Sequence, residues 1–578
     1  MSKTNTNVTE NLRKQIEAAV TAAMEQGALP AGEIPSFVIE EPADRSHGDI
    51  ATNVAMAGAR VFRMAPVKAA QIILDHIDLE NSFIEKCEIA GPGFINFFLS
   101  KRYFAAVLRE IENEGERYGE SDYGQGKKVM VEFVSANPTG PMHLGNARGG
   151  ALGDCLAAVL DKAGYQAYRE FYVNDAGNQI EKFAASLEAR YMQLFDDSFA
   201  FPEDGYQGSD IIERAEQFKE KFGGSLTAVS SEERRKALVD FALPLNIKRM
   251  QDDMAKYKID FDNWFMESTL HESGSVAEVV NTLTEKGLTY EKDGAIWYKN
   301  KDICTEILLS QGKKQDYIDK LELKDDVLIR SNGNPTYFAA DIAYHKNKFD
   351  RGFEQLINVW GADHHGHVMR LKGAMNAIGY DGDKLDILLM QLVKLVRDGQ
   401  IVTMSKRTGK AIQLRDLLDE VPVDSARFIF NTREATTQMD FDLDLAIQQD
   451  SQNPVYYVQY AHARICSILR NLEAEGVSAR SCTDEELCLL GAPEEVELIH
   501  LLSAFDSEII AAARDYDPTK ITKYVTNVAT YFHKFYNACR VKCDDEKLMQ
   551  ARLSLCTATK TVIKNVLDMF SITCPDRM

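Results

Sequence analysis

The chain has 578 residues, a formal net charge of −22, and 45% hydrophobic against 27% charged residues. At roughly 100–200 residues per domain this length implies three or four domains, and the composition excludes a disordered chain. No apolar run reaches the roughly 18 residues that cross a bilayer, the polar start Met1–Glu10 has no secretory h-region, and the ten cysteines form no Cys-x-x-Cys pair. A reduced, cytoplasmic chain with no membrane partner is expected.

Taken in chain order, apolar spacing predicts a helix over 8–24, a second over 51–63 and a third from Pro66 to about 76. Residues 83–100 end in a Gly-Pro-Gly turn followed by a strand, and 115–128, rich in glycine and charge, reads as a linker. Alternation of the parallel α/β kind follows, with strand 128–136, helix 143–164, strand 166–174 and a helix from about 178. A charged, helix-rich stretch over about 195–320 reads as an insertion. Strand 326–330, helix 337–351, strand 355–360, helix 367–378 and strand 385–393 resume the rhythm, and from 441 the pattern is all-helical. The expected fold is α/β: an N-terminal α+β unit (1–120), a parallel-sheet unit with its insertion (121–440) and a C-terminal all-α bundle (441–578).

The acidic total argues against nucleic acid, because phosphate binding needs Lys and Arg. Phosphates, however, feel charge only within about 10 Å. Three acid-poor windows run against the background. Window 391–415 carries Lys394, Arg397, Lys406, Arg407, Lys410 and Arg415 against Asp398 alone. Window 453–470 carries Arg464 and Arg470, and 520–542 carries Lys520, Lys523, Lys534, Arg540 and Lys542. Any one of them reads as a solvated helix face; together they suit a polyanion.

Chemistry concentrates in two stretches. From Lys128 an apolar strand runs into a Pro/Gly turn, and a helix opens near His143. Open α/β sheets bind ligands at the carboxyl ends of their strands, where helix N-termini offer free N–H groups to anions. His143 would donate there to a phosphate oxygen, and Gly145 leaves room for a flat base. Downstream, Val402-Thr-Met-Ser-Lys-Arg-Thr-Gly-Lys410 is a basic loop that can close over a polyphosphate, with Lys406 facing the leaving pyrophosphate. Glu132 interrupts the apolar strand and is either a surface-edge residue or a carboxylate paired with a cation brought by substrate. Asp363-His364-His365-Gly366-His367 has the look of a metal cluster, but no cysteine lies near it in sequence and no metal is assigned.

These two stretches together resemble the HIGH and KMSKS signatures of class I aminoacyl-tRNA synthetases. Ser135-Ala-Asn-Pro-Thr-Gly-Pro-Met-His-Leu-Gly-Asn146 is similar to the arginyl-tRNA synthetase form of the first. Tyr337-Phe-Ala-Ala-Asp341, Gly361-Ala-Asp-His-His-Gly-His367, Tyr457-Val-Gln-Tyr-Ala-His-Ala-Arg464 and Phe532-His-Lys-Phe-Tyr-Asn537 resemble further blocks of that family. So do His47-Gly-Asp-Ile-Ala-Thr-Asn53, Gly91-Pro-Gly-Phe-Ile-Asn96 and the final Pro575-Asp-Arg-Met578, in order along the chain. Two positions depart from the class pattern. Asn146 stands where the class has His, so an amide donor is expected, and Thr403 replaces the first Lys of the second motif. Gly140-Pro-Met142 holds no base either, which leaves the phosphate-side charge to Lys406.

The resemblance implies a Rossmann-type catalytic domain, an N-terminal domain for the tRNA D-loop and a helical domain for the anticodon. It implies ATP-dependent activation of L-arginine and transfer to the terminal adenosine of tRNA(Arg), by a monomer in the cytoplasm. ATP would bring Mg²⁺ as a substrate complex, with no tightly bound cofactor. At the matching positions His143, Asn146 and Lys406 are catalytic; Pro138, Gly140, Gly145, His364, His367, Met404 and Ser405 join them around ATP. Glu132, Ser135, Asn137, Tyr337 and Asp341 hold arginine, and Phe94, Asn96, Tyr460 and Arg464 meet tRNA. The residue types agree: a guanidinium is a planar fork of donors that suits two carboxylates and a phenol. Tyr337 and Asp341 lie one helical turn apart. The rival readings are another class I synthetase, or a catalytically silent tRNA-binding paralogue.

Overall fold

The apolar run Phe94–Leu99 is a strand of a four-stranded antiparallel sheet, in the order Ile39–Glu40, Ile50–Thr52, Phe94–Leu99, Ile84–Ala90. Helix Pro66–His76 packs on this sheet and helix Lys3–Glu25 packs on that helix. The computed structural model describes residues 3–42, 44–80, 82–402 and 412–578. Gly93 sits at φ 128°, and a Cβ there would meet Pro66 at 2.7 Å, so the hairpin turn requires glycine. The continuous helix predicted over 51–63 does not form. Ala51 pairs with Glu40 and Asn96, partners distant in sequence that local spacing does not reveal, and only the short helices Val54–Ala57 and Ala59–Phe62 follow.

The stretch read as a linker is fastened down. Tyr118 is buried and donates to the Leu502 carbonyl at 2.9 Å, while Asn565 donates to the carbonyls of Gly115 and Tyr118. Beyond it lies a five-stranded, all-parallel sheet in the order Leu385–Met390, Gln355–Gly361, Lys128–Glu132, Gln166–Val173, Asn263–Met266. This is the Rossmann-type arrangement. The chain moves from Lys128–Glu132 to one side and later returns on the other, so a crevice opens beyond Glu132 between the two directions.

Three sequence expectations fail here. Asn263–Met266, inside the supposed insertion, is the edge strand of the parallel sheet. Asp326–Ile329 belongs instead to a small antiparallel sheet with Ala295–Tyr298 and Thr289–Lys292. The helices Ser209–Phe222 and Ser231–Lys256 do stand apart, closing a separate core of Phe183, Leu187, Tyr191, Phe218 and Leu238 with helix Asn178–Gln193. The strand expected over 385–393 stops at Met390, and Val393–Arg397 turns into a third small sheet with Gln400–Val402 and Met439–Asp442.

Helices Pro454–Ala474, Pro493–Ser503, Phe505–Asp515, Thr519–Ala538 and Glu546–Met569 form the C-terminal bundle. Its end is tied into the catalytic unit through fully buried Arg427. That guanidinium donates to the Phe570 carbonyl at 2.7 Å, to the Tyr257 and Lys258 carbonyls at 3.2 Å, and to the Asp154 carboxylate on helix Leu144–Lys162. Among the described residues no helix is long and apolar enough to cross a membrane.

Candidate active site

The strand expected to reach 136 ends at Glu132 because the backbone turns sharply. Val134 and Ser135 have φ of 69° and 32°, a left-handed excursion that costs non-glycine residues on the order of 1 kcal/mol each. The turn swings the Ser135 hydroxyl back to donate to Glu132 Oε1 at 2.8 Å while accepting from the Tyr172 N–H. Ser135, expected among the arginine contacts, braces Glu132 here, with its hydroxyl engaged on both sides. Asn137 is exposed, whereas Pro138 is buried and its carbonyl accepts from Asn246 at 2.8 Å.

His143 caps helix Leu144–Lys162, and its side chain and Gly145 are exposed at the open first turn. A Cβ on Gly145 would meet nothing nearer than His143 Nδ1 at 3.9 Å, so this face is clear for a ligand. Asn146 is buried, and its Oδ1 accepts from the His143 N–H at 2.9 Å. Its first role is to cap the helix, which leaves only the amide nitrogen for the expected donation. Met404, Ser405 and Lys406 lie outside the described residues. The stem just beyond them is well placed. Gln413 bridges His143, and the Leu414 N–H donates to the Met142 carbonyl at 2.9 Å, so the segment that follows the second motif lies against the first.

Glu132 is buried, and its counter-charge is internal: Lys348 Nζ donates to Oε2 at 2.5 Å, and Lys348 is itself fully buried. This corrects the expectation that substrate alone supplies the cation. Lys348 also donates to Asn358 Oδ1 at 3.1 Å, Asn358 Nδ2 donates to His345 Nε2 at 2.7 Å, and His345 Nδ1 lies 2.9 Å from the Asp341 main-chain carbonyl and 3.0 Å from its Oδ1. The other Asp341 oxygen is 2.5 Å from His367 Nε2, whose Nδ1 accepts from Arg370. A continuous chain of bonds thus joins the two acids predicted for arginine. Each imidazole accepts at one nitrogen and so donates its proton to Asp341 from the other. Burial opposes ionisation of Asp341, but the His345 and His367 contacts outweigh it and hold its carboxyl well below the usual range. Both nitrogens of His367, expected on the ATP side, are engaged here by Asp341 and Arg370. His364 stays exposed beside Trp360.

Tyr337 opens helix Tyr337–Asp350 and lines a cavity of about 440 Å³ with Glu267, His271, Arg330, Gly177 and Glu181. Glu267 and Tyr172 had not been anticipated. Tyr172 lies near Glu132, Asp341 and Glu267, with its phenol beside the Glu267 carboxylate. Burial pushes that phenol's pKa well up, as do the Glu267 and Asp341 charges. Burial likewise raises the Glu267 carboxyl, against the donors Tyr172 and His271. Lys348 did leave a sequence signal. Asp341, His345 and Lys348 fall at i, i+4 and i+7, one polar stripe on a helix whose Phe338, Ala339, Ala340, Ile342 and Ala343 are apolar. Glu267 left none, because its strand pairs with a segment about ninety residues away.

The predicted RNA contacts divide. Phe94 is half-buried, and Asn96 is buried within its sheet, so it presents no open amide. On the bundle, Tyr460 is exposed and stacks on Tyr456 with rings 6° from parallel, while the Arg464 guanidinium lies 4.3 Å over the Tyr536 ring. Phe535 is core. Aromatic faces edged by cations suit unstacked bases.

Family profiles match three consecutive segments: "Arginyl tRNA synthetase N terminal domain" over 10–99, "tRNA synthetases class I (R), catalytic domain" over 108–466, and "DALR anticodon binding domain" over 458–578. The chain belongs to the class I arginyl-tRNA synthetase family. The arginine–tRNA ligase of Acetivibrio thermocellus is 52% identical over 99% of this chain and 100% of its own. That of Caldanaerobacter subterraneus subsp. tengcongensis is 54% identical over 98% of each. The structure of Thermus thermophilus arginyl-tRNA synthetase shares the fold, with a TM-score of 0.70 and 22% identity over 98% of this chain and 100% of that one. The arginyl-tRNA synthetase match thus runs through all three parts of the chain.

Proposed function

We propose that the protein is an arginine–tRNA ligase that activates L-arginine with ATP and passes the arginyl group to tRNA(Arg). The carrying observation is that the segment following the second signature stretch lies against the first, with Gln413 bridging His143 at the open N-terminus of helix Leu144–Lys162; a chain of contacts also links Glu132 to Asp341. The arginine carboxylate attacks the α-phosphorus of ATP, giving arginyl-adenylate and pyrophosphate. The 2′-hydroxyl of the terminal adenosine then attacks the acyl carbon and releases AMP. Both steps need positioning and charge stabilisation, with no covalent enzyme intermediate.

In this reading the first-turn N–H groups and His143 face phosphate, the Asn146 amide nitrogen turns to the nucleotide, and Lys406 stabilises the leaving pyrophosphate. Mg²⁺ arrives with ATP. Tyr337 and Asp341 grip the guanidinium, with Glu132 held beside them by Lys348. The N-terminal sheet takes the D-loop, through Phe94, and the bundle takes the anticodon, through Tyr460 and Arg464. One chain serves one tRNA, in the cytoplasm. The test is aminoacylation of bulk tRNA with each standard amino acid: only arginine is expected to be charged, and any other product overturns the specificity. Replacing Lys406 with Ala should lower kcat by about 100- to 1,000-fold.

A further inference from the structure

The chain ends against helix Pro454–Ala474, and there it assembles a polar cluster that the proposed reaction does not use. His462 and Cys466 lie one turn apart on one face of that helix, at 1% and 4% exposure. Asp576 reaches them from the tail, and donor atoms of all three lie within 4.8 Å of one another. Each is aimed. His462 Nδ1 stands 3.0 Å from the Pro575 carbonyl, which can only accept, so Nδ1 carries the proton and Nε2 is left a bare lone pair. Burial supports the neutral ring by lowering its pKa. Among the described residues Nε2 accepts from no N–H or O–H, and its neighbour is the Cys466 sulfur at 4.0 Å. The Cys466 thiol donates to Asp576 Oδ1 at 3.2 Å, and Arg470 fixes Asp576 by donating to its main-chain carbonyl at 3.0 Å.

Imidazole nitrogen, thiol sulfur and carboxylate oxygen make a donor set of the zinc kind. A ligating histidine usually gives its other N–H to a carbonyl or carboxylate, as His462 does to Pro575. Tetrahedral zinc spaces such donors about 3.3–3.8 Å apart, and the separations of 3.2 and 4.0 Å bracket that span. Burial and Asp576 keep the Cys466 thiol protonated, whereas the nearby Lys560 favours the thiolate that a metal needs. Lys560 and Lys564 also repel a cation, and the two anionic ligands offset that repulsion.

We propose that His462 Nε2, Cys466 Sγ and Asp576 form a structural site for a divalent cation of the zinc class, with water as the fourth ligand. Zn²⁺ replaces the thiol proton, which leaves to solvent: one metal–sulfur bond forms, one S–H bond breaks, and no electron is transferred. The ion clamps the end of the chain to the helix that carries Tyr460 and Arg464 on its far side. The proposal does not depend on the ligase reading.

The experiment strips the full chain with a chelator and titrates it with Co²⁺, then Zn²⁺, following absorption and thermal melting. One Co²⁺ per chain should bind with a sulfur-to-metal charge-transfer band, Zn²⁺ should displace it, and Zn²⁺ should raise the melting temperature. Cys466→Ser should abolish the band, and Cys543→Ser, outside the cluster, should leave it unchanged. Asp576→Asn, at an exposed position, should weaken Zn²⁺ binding by about 10- to 100-fold. Melting of the metal-free variants checks that each folds; if Cys466→Ser does not, Asp576→Asn decides. A wild type without the band overturns the proposal, as does a band that survives in folded Cys466→Ser or Zn²⁺ affinity unchanged in Asp576→Asn.

Discussion

Two sets of buried acids sit within one crevice and are treated in opposite ways. Glu132 and Glu170 are neighbours on adjacent strands, and each receives a cation from the same end of helix Tyr337–Asp350: Lys348 at 2.5 Å, and Arg351 through two bonds of 2.6 and 2.7 Å. Tyr344 and Asn263 complete the bonding of Glu170. This layer between sheet and helix is neutral, sealed at Lys348 and open at its edge beside Arg351. Glu267, one strand further out, has only uncharged or weakly basic donors and faces a cavity. The difference is one of counter-charge: Glu132 and Glu170 are neutralised within the chain, whereas Glu267 meets no Lys or Arg among the described residues.

The sharpest way to break that contrast is Lys348→Met, which strands Glu132 in a dry layer. It should cost about 3–5 kcal/mol of folding stability, read from denaturant midpoints, and adding Glu132→Gln should recover much of it. If the single change costs nothing, the layer is not what holds the helix to the sheet. Arg351→Ala should cost less, about 1–3 kcal/mol, because Arg351 is 27% exposed and the opening admits water while Tyr344 and Asn263 still donate to Glu170. A loss equal to that of Lys348→Met would erase the distinction between the sealed and the edge pair.

The smallest effect is a pH dependence of opposite sign in the two regions. Burial works to raise the Glu170 carboxyl, but Arg351 and Lys348 prevail and hold it low. Its contribution is therefore present above the unfolded pKa, about 4.3, and fades as pH falls through the folded value. Glu267 is raised by burial, so its contribution is full below about 4.3 and is lost as pH rises through its folded value. Glu267→Gln removes that loss. Its melting temperature relative to the wild type should then rise with pH across this window; a difference independent of pH contradicts the contrast.

What the sequence made legible follows from how local each signal is. The strand into a Pro/Gly turn, the helix beginning near His143 and the alternation around them are carried by contiguous residues, and they stand close to where they were expected. Asn263–Met266 was hidden in a charged stretch, because its place at the sheet edge is decided by Gln166–Val173. Asp326–Ile329 looked like one more parallel strand, and only its pairing with Ala295–Tyr298 makes it otherwise. The same holds within the site. Glu132 was conspicuous as a charge in an apolar run, but the identity of its partner, 216 positions away, depends on the fold. His367 stood out in a histidine-rich run and was given to ATP, when its bond to Asp341 needs helix Tyr337–Asp350 to lie alongside.

Arg427 sets a limit on how the polypeptide can be divided. Three carbonyls and one carboxylate from separate stretches of chain converge on one guanidinium with no access to water. A fragment stopped at the end of the catalytic half would lose the Phe570 acceptor and, with it, the cover that keeps this centre dry. The helical domain is thus no detachable adaptor. Exchanging it between homologues demands that its last turn reproduce one carbonyl in register, and a truncated catalytic core is a poor vehicle for drug screening or kinetic dissection.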